Sequence, residues 1–531
     1  MGFISESITL LGQNITSIIL LLIVLHFTRN YFTPGVYAIS GPFLAKISNI
    51  WRYIDVANGR AEWTLYSLHQ KYGDYVRIGP NVVSVRDLDA IKVIYGINKG
   101  YGKTDFYKVQ QQLAKGKPTP TLFTTTDEEF HAAIKRPISA AYSMSTLTEF
   151  EPFVDSTIQT FFRRLDEFVD HGEVCDIGTW LQYYAFDVIG ELTFSKSLGF
   201  LEKGSDVDGI IAALEAMLDY SGKIGQMPWM DYLFIKNPLK GLIQGGSTGA
   251  VARFARVRLD ERLKSVVQNA GVPEPTRRDF LARFLEAKTE HPGVVTDNQV
   301  FSYTVSNMNA GSDTTAISLR AILYYTLKNP RVAEKLQREL DAAYKKQRIS
   351  LPVTWKQSQE ELPYLDAVVK EALRLHPAVG LILERIVPAE GLQLPNGGPF
   401  LPAGTIVGAN PWVVHRHGLF GDDVDSFFPE RWLPAEEESE IQFQARKQKM
   451  LRATFTFGAG SRTCIGKNIS LLEIYKLIPS LFLTYEIRLD NPEKEWETTN
   501  AWFVRQKGID VHLGRRNLCA GMAAGPGDSD G

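Results

Sequence analysis

Residues 457–466 (FGAGSRTCIG) hold a single cysteine, Cys464, among three glycines. An apolar run of helical period begins at Ile469, so Cys464 is predicted to stand just before a helix. There the helix dipole and the unpaired backbone N–H groups favour a thiolate and can hydrogen-bond its sulfur. Arg462 can pair with an anionic group. The predicted chemistry is therefore that of one thiolate whose electron donation is tuned by the loop.

Two other interpretations of this loop stay open. The first is an ordinary free cysteine buried in a glycine turn. The second is a dinucleotide-binding loop, although 458–460 (GAG) lacks the third glycine because Thr463 stands in its place. The chain has three cysteines, Cys175, Cys464 and Cys519, which are too few for a disulfide scaffold or a four-cysteine metal cluster. A functional cysteine must therefore act nearly alone.

A second polar group, residues 310–315 (AGSDTT), lies within a helical pattern. A buried helix should not carry an acid and three hydroxyl groups unless they have partners. Asp313 and Thr314 place an acid beside an alcohol, which suits the relay of protons. Gly311 costs about 1 kcal/mol relative to alanine, and it removes a side chain where a flat group could lie. The alternative is a helix bend caused by serine and threonine side chains.

Charged residues supply a third group. Glu371 and Arg374 lie three residues apart on one face of an apolar helix. Arg431 follows in an aromatic segment, 428–432 (FPERW). The alternative is an ordinary exposed ion pair, which is worth under about 1 kcal/mol.

Long helices must position these groups. A capping box at Thr296 and Gln299 starts one helix and Asn329-Pro330 ends it, so it has about 30 residues and must cross a large domain. The helix of Glu371 has an apolar stripe over 362–373 and ends before Pro377.

Strand patterns are short, at 75–78, 82–85 and 405–407. They cluster in the first hundred residues and near 380–410, and helices are expected elsewhere. The predicted class is mainly α with small β-sheets.

The start of the chain predicts a membrane anchor. Residues 7–28 carry no charge, and a helix needs about 20 residues to cross a bilayer. Glu6 precedes this stretch, whereas Arg29 and Lys46 follow it, which predicts that the body faces the cytoplasm. A cleaved signal peptide is the rival, but it needs a basic start and a small-residue cleavage site.

Composition bounds the remaining classes. The 531 residues carry 58 Lys and Arg against 60 Asp and Glu, a net charge of −2, which argues against nucleic-acid binding. With 44% hydrophobic and 22% charged residues, a large core can form. We expect an anchor at 1–30, one large domain at 31–515 and a flexible tail at 516–531.

The pattern F-x-x-G-x-R-x-C-x-G at 457–466 resembles the haem-binding signature of the cytochrome P450 monooxygenases, and every defined position is filled. The resemblance implies the P450 fold after a transmembrane helix. It also implies that Cys464 is the axial thiolate ligand of haem b, whose electron donation promotes O–O cleavage. Phe457 and Gly466 would complete the cofactor loop.

Residues 310–315 resemble the oxygen-activation motif of the same family. By this resemblance, Ala310 and Gly311 lie against the haem. Thr314 would hold water near the reacting oxygen, and Asp313 would help to bring protons in. These two are the expected catalytic residues.

The Glu-x-x-Arg helix and its partner arginine in this family form a buried network beneath the haem. Glu371, Arg374 and Arg431 match them, so we expect a role in folding and haem retention. The propionates would bind to basic residues at five positions, His131, Lys135, Arg136, Arg385 and Arg462. Two departures concern these sites. Lys135 stands where the family has arginine, with Arg136 as the substitute, and Glu384 lies beside Arg385.

The implied reaction inserts one oxygen atom of O2 into a hydrophobic small molecule. Electrons would come from NADPH through a separate NADPH-cytochrome P450 reductase, with cytochrome b5 as a further candidate partner. The reductase is expected on the face of Cys464, near Arg452, Arg462 and Lys467. The endoplasmic reticulum is the implied membrane. A haem-thiolate isomerase or dehydratase that uses no O2, and a non-catalytic haem-binding protein, are alternatives that Asp313 and Thr314 disfavour.

Residues 466–473 (GKNISLLE) are similar to fungal enzymes of the pisatin-demethylase and benzoate-hydroxylase type. This favours secondary metabolism of a terpenoid, polyketide or alkaloid. The segments expected to contact substrate are 101–125, 205–245, the helix before Ala310, 378–383 and 502–503.

Overall fold

The computed structural model describes residues 2–114, 117–237, 249–268 and 278–517. This part of the chain is largely helical, as the sequence predicts. Its α-helices are α1 (Gly2–Tyr31), α2 (Phe43–Ile47), α3 (Ile50–Ala57), α4 (Ala61–Tyr72), α5 (Leu88–Ile94), α6 (Glu128–Lys135), α7 (Met144–Leu147), α8 (Glu151–His171), α9 (Ile177–Phe194), α10 (Phe200–Lys203), α11 (Ile210–Ile224), α12 (Ala250–Gln268), α13 (Phe280–Glu290), α14 (Asp297–Leu327), α15 (Pro330–Lys345), α16 (Trp355–Glu361), α17 (Pro363–Leu375), α18 (Pro411–Val414), α19 (Glu440–Ala453) and α20 (Lys467–Thr484).

The strands are short and form small sheets. They are β1 (Tyr75–Gly79), β2 (Val82–Val85), β3 (Gln112–Ala114), β4 (Lys117–Thr119), β5 (Cys175–Asp176), β6 (Arg385–Ile386), β7 (Leu392–Gln393), β8 (Phe400–Leu401), β9 (Ile406–Gly408), β10 (Tyr485–Leu489), β11 (Glu497–Asn500), β12 (Val504–Lys507) and β13 (Asp510–Arg515). One sheet has the order β1-β2-β9-β6, with β2 and β9 parallel. A second sheet, β10-β13-β5, is antiparallel. The pairs β3-β4, β7-β8 and β11-β12 are separate.

The three strands predicted from the sequence become β1, β2 and β9. The expectation of helices elsewhere is wrong at 485–515, where β10 to β13 lie. In β10, Tyr485 and Ile487 are buried while Glu486 and Arg488 are exposed. This two-residue period is typical of a strand that packs one face on the core.

Helix α14 runs through the core for 31 residues, or about 47 Å. It contacts α9, α12, α13, α17 and α20. Thr296 caps its N-terminus, because Oγ1 of Thr296 accepts a hydrogen bond from the Gln299 N–H at 3.3 Å. Only this half of the predicted capping box forms within the described residues, without the reciprocal bond from the Thr296 N–H to the Gln299 side-chain oxygen. The polar segment 310–315 therefore lies inside the protein.

Helices α17 and α20, which both contact α14, also have boundaries where the sequence predicts them. Helix α17 ends at Leu375, and His376 is its C-cap before Pro377. Helix α20 begins directly after its N-cap, Gly466. Cys464 consequently stands two residues before the cap of α20.

A buried arginine joins the apolar helix α1 to the β1 sheet. The Arg77 guanidinium donates to the carbonyl oxygens of Asn30 and Tyr31, the last helical residues, at 2.5 and 2.9 Å. It also reaches three further carbonyl oxygens, those of Lys46, Gly79 and Pro80. The last carbonyls of a helix lack partners within it. Arg77 therefore caps α1 and fixes it to the body.

The expected tail begins at Arg516, whose guanidinium forms an ion pair with Asp341 at 2.9 Å. The expectation for residues 518–531 lies outside the described residues.

Candidate functional site

The loop before α20 is shaped by two glycines. Gly458 and Gly460 both have a φ of +68°, which residues with a side chain rarely adopt. A Cβ on Gly460 would lie 1.9 Å from the carbonyl oxygen of Tyr95, so no side chain fits there. The Cys464 N–H donates to the carbonyl oxygen of Phe457 at 2.9 Å and closes the loop. The loop follows a helix, α19, and not a strand, which excludes the dinucleotide-binding interpretation.

The sulfur of Cys464 lies at the N-terminal end of α20. The pKa of the Cys464 thiol is raised, because burial outweighs the hydrogen bonds from the Gly466 and Lys467 N–H groups and the charge of Lys135, which favour the thiolate. The side chain keeps accessible surface although protein atoms surround it, as a group facing an internal cleft does. An enclosed cysteine in an ordinary turn would have no such surface.

One turn of α14 is open in the middle of the core. Ala310 is exposed and Thr314 is half-buried, although most of the helix is buried. This turn therefore keeps accessible surface that a ligand could contact. Oγ1 of Thr314 donates to the Ala310 carbonyl oxygen at 2.8 Å. Its lone pairs therefore remain able to accept a hydrogen bond.

Gly311 lies where α14 packs against α9. A Cβ at this position would lie 3.0 Å from Cδ1 of Ile189 in α9. The missing side chain lets α9 and α14 pack closely, and the expected contact of Gly311 with the haem stays a prediction. Ser312 and Ser318 bond back to the carbonyls four residues earlier, as the bend alternative predicted, but α14 continues unbroken.

Asp313 is buried, with 2% of its surface exposed. Nε2 of Gln182 donates to its Oδ1 at 2.7 Å, and its Oδ2 has no hydrogen-bond partner within the described residues. Burial raises the pKa of Asp313 to about 6, opposed by the Gln182 hydrogen bond and the charge of Arg320. A carboxyl group with this pKa can give and take a proton near neutral pH.

Five basic side chains from separate elements interact with one another, and we call them the cation cluster: Lys103, His131, Lys135, Arg385 and Arg462. Burial and the charges of the other four lower the pKa of His131 to about 3, so His131 is neutral. Burial, Arg385 and Arg462 lower the pKa of Lys103 well below its usual value. Because the members of the cluster lower one another's pKa, nearby anions do not balance their positive charge.

The partners of the cation cluster are mostly uncharged. Arg462 pairs with the Glu128 carboxylate at 2.7 Å, the one carboxylate that the cluster meets within the described residues. The other charged members donate to carbonyl or hydroxyl oxygens, Lys103 to Phe123, Lys135 to Ser461, and Arg385 to Glu384 and Tyr107. Four cations with one carboxylate can accommodate a dianionic ligand.

Lys103 is a member of this cluster that sequence reasoning missed. Its ammonium group lies 4.1 and 4.0 Å from the ring centroids of Tyr107 and Phe123. The only local signal was a lysine in an aromatic segment, which is too common to identify a ligand contact.

The two departures from the family pattern have identifiable surroundings in the structure. Arg136 is exposed at the end of α6, whereas Lys135 reaches Ser461 in the cysteine loop. The Glu384 carboxylate accepts from Oγ1 of Thr104 at 2.6 Å and pairs with Arg52. Arg52 thus neutralises the acid that stands beside Arg385.

Glu371, Arg374 and Arg431 form a buried network, which we call the glutamate network. Arg374 donates twice to Glu371 at 2.8 and 2.9 Å, and Arg431 donates once at 2.8 Å. Trp432 Nε1 adds a hydrogen bond at 2.9 Å. Burial alone would raise the pKa of Glu371, but the two arginines outweigh it and lower the pKa. The exposed-pair interpretation is wrong, since Glu371 and Arg374 have no exposed surface.

His415 connects the glutamate network to the cysteine loop. Its Nδ1 donates to the Arg374 carbonyl oxygen at 3.0 Å, and its Nε2 accepts from the Phe455 N–H at 2.7 Å. Burial, with the charges of Arg374 and Arg416, lowers the pKa of His415 to about 3. The ring is therefore neutral, with its proton on Nδ1.

These features fit a haem. Helices α14 and α20 contact each other, with the hydroxyls of Thr315 and Ser470 2.7 Å apart, so the open turn and the cysteine loop share one region. Cys464 offers a thiolate to the iron, and the cation cluster offers charge to two propionates. The fold and the site together define a haem-thiolate protein.

Comparison with known proteins agrees. The Cytochrome P450 family model matches residues 44–512. Cytochrome P450 monooxygenase cicH of Emericella nidulans is 46% identical over 481 residues, covering 90% of this chain and 94% of the relative. Cytochrome P450 monooxygenase vrtE of Penicillium aethiopicum is 36% identical over 504 residues, covering 93% of each chain.

A crystal structure of a cytochrome P450 matches with a TM-score of 0.68 at 18% identity, covering 87% of this chain and 96% of that chain. The chain therefore belongs to the cytochrome P450 family. The family, the fold and the monooxygenase class predicted from the sequence are confirmed.

Proposed function

We propose that this chain is a membrane-anchored monooxygenase that oxidises a hydrophobic small molecule in fungal secondary metabolism. One atom of O2 enters a substrate C–H bond and the other leaves as water, which consumes two electrons and two protons. The observation that carries the proposal is a cysteine loop next to an accessible turn of a buried helix, with Cys464 on the loop and Ala310 and Thr314 on the turn.

The protein's first task is to hold the cofactor. When bound, haem supplies the activation of O2. Cys464 would ligate its iron, with Phe457 and Gly466 shaping the loop. The charged members of the cation cluster would bind the propionates, and neutral His131 would donate a hydrogen bond.

The second task is to deliver protons from α14. The hydrogen of Thr314 is engaged with the Ala310 carbonyl, so its oxygen is suited to accept a hydrogen bond from a water at the reacting oxygen. Asp313, with a pKa of about 6, is suited to take a proton and release it again. An isomerase or a haem-binding protein would not need this pair.

Two observations support membrane anchoring. Residues Asn14–Tyr31 of α1 are long and apolar enough to span a bilayer, and no part of this window is buried. Large apolar side chains are also exposed on α2, α3 and the segment after α11, among them Phe43, Leu44, Ile54, Trp229, Leu233 and Ile235. Contacts link α1 to α2, α2 to α3 and α3 to α11. An exposed apolar surface continuous with the anchor is suited to the same bilayer.

Electrons would arrive from NADPH-cytochrome P450 reductase at the cysteine face. Exposed Arg452 and Lys467 support this docking site, and the same surface would be open to cytochrome b5. Arg462, which the sequence placed here, is engaged in its pair with Glu128, and its side chain is only 3% exposed. The cations that follow α1 support an orientation with the body in the cytoplasm. The endoplasmic reticulum is the membrane that the family implies.

The expected substrate segments approach one another around an aromatic group. Phe106, Phe123 and Trp502 have centroids 4.9 to 6.2 Å apart in the closest pairings. Val379 pairs with Phe503 in a β-bridge. A Cβ on Gly222 of α11 would lie 1.3 Å from the carbonyl oxygen of Ala501, so α11 covers the turn before Trp502 directly. This enclosure supports an apolar substrate. Residues 115–116 and 238–245 of those segments lie outside the described residues.

The first experiment is the carbon monoxide difference spectrum of the reduced protein. We expect the red-shifted Soret band of a thiolate ligand, and its loss in Cys464→Ser. Cys175→Ser is the matched control, because Cys175 is a buried free cysteine in β5, outside the cysteine loop. Folded, haem-loaded protein without the band would overturn the assignment of Cys464.

The second experiment measures NADPH oxidation with reductase, with and without O2. Oxidation should require O2, and Thr314→Ala should divert electrons to peroxide while still binding haem. Ser318→Ala is the control, because that hydroxyl makes the same back-bond one turn later. Normal coupling in Thr314→Ala, or turnover without O2, would contradict the proposed mechanism. Metabolite profiling of a deletion strain would then identify the substrate.

A further inference from the structure

Gln182, on α9, contacts the side chain of Asp313 inside the core. Only 7% of Gln182 is exposed, and its Nε2 lies 2.7 Å from Oδ1 of Asp313. It belongs to none of the motifs found in the sequence. Its position beside Asp313 allows it to influence how that acid holds a proton.

Arg320 determines how the Gln182 amide is oriented. The Nε of Arg320 donates to the Gly178 carbonyl oxygen at 2.7 Å, and its Nη2 donates to Oε1 of Gln182 at 2.8 Å. A guanidinium has donors and no acceptor. The amide must therefore turn its oxygen toward Arg320 and its NH2 toward Asp313.

This orientation dictates where Asp313 can carry a proton. Because Gln182 presents an N–H to Oδ1, that oxygen must act as an acceptor in both protonation states. Oδ2 is buried and has no hydrogen-bond partner among the residues that the structure describes. The proton of the neutral acid therefore resides on Oδ2.

We propose that Gln182 is a positioning residue for proton delivery: held by Arg320, it occupies Oδ1 of Asp313 and so directs the transferable proton to Oδ2. This inference rests on the proposed function, in which Asp313 relays protons. Gln182 itself touches neither substrate nor cofactor in this scheme.

The charges around Asp313 are consistent with a proton that can leave. Burial raises the pKa of Asp313 to about 6, and the Gln182 hydrogen bond opposes that rise. Arg320 on the same helix and Arg505 on β12 also lower the pKa, while Glu215 on α11 raises it. Without the Gln182 donor the carboxylate would lose its hydrogen bond, and the pKa would rise further.

The test compares Gln182→Met with Gln506→Met in haem-loaded enzyme. Gln506 is also a buried amide, and it donates to the Ile317 carbonyl of α14 at 3.0 Å, so its loss removes a buried amide hydrogen bond to the same helix without reaching Asp313. The carbonyl stretch of the protonated acid, identified by its absence in Asp313→Asn, is titrated by infrared spectroscopy.

We expect Gln182→Met to raise the titration midpoint by about one pH unit, and Gln506→Met to leave it unchanged. Gln182→Met should also raise the peroxide fraction of NADPH oxidation with reductase. Arg320→Lys, which keeps the charge but loses the fork that holds the amide, should shift the midpoint in the same direction. It provides a second test if Gln182→Met folds poorly.

Two failures can be told apart. If Asp313→Asn produces no more peroxide than the parent enzyme, the proton role of Asp313 is wrong, and the purpose assigned to Gln182 is wrong with it. If Asp313→Asn does produce peroxide, but neither Gln182→Met nor Arg320→Lys moves the midpoint, the positioning role alone is overturned. An equal shift in Gln506→Met would likewise overturn it.

Discussion

The glutamate network and the cation cluster are two buried groups of basic residues that differ in charge balance. In the glutamate network, Glu371 accepts from both Arg374 and Arg431, and its pKa is lowered. In the cation cluster, four cations meet one carboxylate, and the pKa of Lys103 is lowered by burial and by its like-charged neighbours. The first group satisfies its charges within the protein, whereas the second has an excess of cations that the propionates of the proposed haem would balance.

This difference separates a structural role from a binding role. A buried charge network whose members satisfy one another needs nothing else, so its loss should affect folding. Holding mutually repelling cations close together lowers the stability of the fold. Removing one of them should therefore weaken ligand binding more than it destabilises the fold. The two groups can be tested against each other.

The largest effect is expected from the glutamate network. Glu371→Gln would leave Arg374 and Arg431 without their carboxylate, which costs about 3–5 kcal/mol. We expect a large fall in thermal midpoint and in the ratio of haem to protein. The control is Glu361→Gln, whose exposed pair with Arg348 is worth under about 1 kcal/mol. Equal stability of the two variants would contradict the structural role.

Lys103→Met tests the cation cluster. Loss of a charge-assisted hydrogen bond to a propionate costs about 1.5–3 kcal/mol, so haem should transfer to apomyoglobin at least about tenfold faster. The unfolding free energy of the haem-free protein, measured in urea, should stay within about 1 kcal/mol, because a repelled charge has been removed. A loss of stability as large as that of Glu371→Gln would make the cluster structural.

Buried His415, which bonds to the glutamate network, makes the stability of the fold depend on pH. Its pKa is 6.5 in the unfolded chain and about 3 in the fold, so the unfolded chain binds more protons between these values. Stability from His415 is therefore full above pH 6.5 and falls as the pH falls, by about 1.4 kcal/mol per pH unit. Thermal midpoints at pH 7 and 5 measure the loss.

His415→Gln removes this titration and should flatten the slope by one proton, while buried His69 and His376 titrate in both proteins. An unchanged slope would contradict a neutral His415.

The smallest effect is expected at the edge of the cation cluster. Arg136 is exposed, so Arg136→Ala should change stability by less than about 0.5 kcal/mol and leave haem release unchanged. Lys135→Met is the neighbouring comparison and should release haem faster, since Lys135 contacts the cysteine loop. Faster release from Arg136→Ala instead would reverse the assignment of these two residues.

The parts of the site predicted from sequence are those whose signal is local. Cys464 is identified by a loop and a following helix, and Asp313 by polar residues within an apolar helix, so short segments suffice. The cap at Thr296 and the end of α17 are local in the same sense.

The rest depends on contacts between distant segments. Glu384 looked out of place because its partner, Arg52, lies 332 residues earlier. Gln182 meets Asp313 across 131 residues, and no pattern around either one indicates the pair. The neighbour of Gly311, Ile189, is likewise visible only once α9 and α14 are packed.

The hydrogen bonds of Arg77 to the end of α1 determine how much of that helix can be removed without destabilising the protein. Removing the apolar helix through Tyr31 would take away two of the carbonyl oxygens that Arg77 binds, those of Asn30 and Tyr31. Each buried donor left without a partner costs about 1–3 kcal/mol. A chain that starts at Thr28 keeps both oxygens and still loses most of the apolar span. In energetic terms, the folded body therefore includes the last turn of α1.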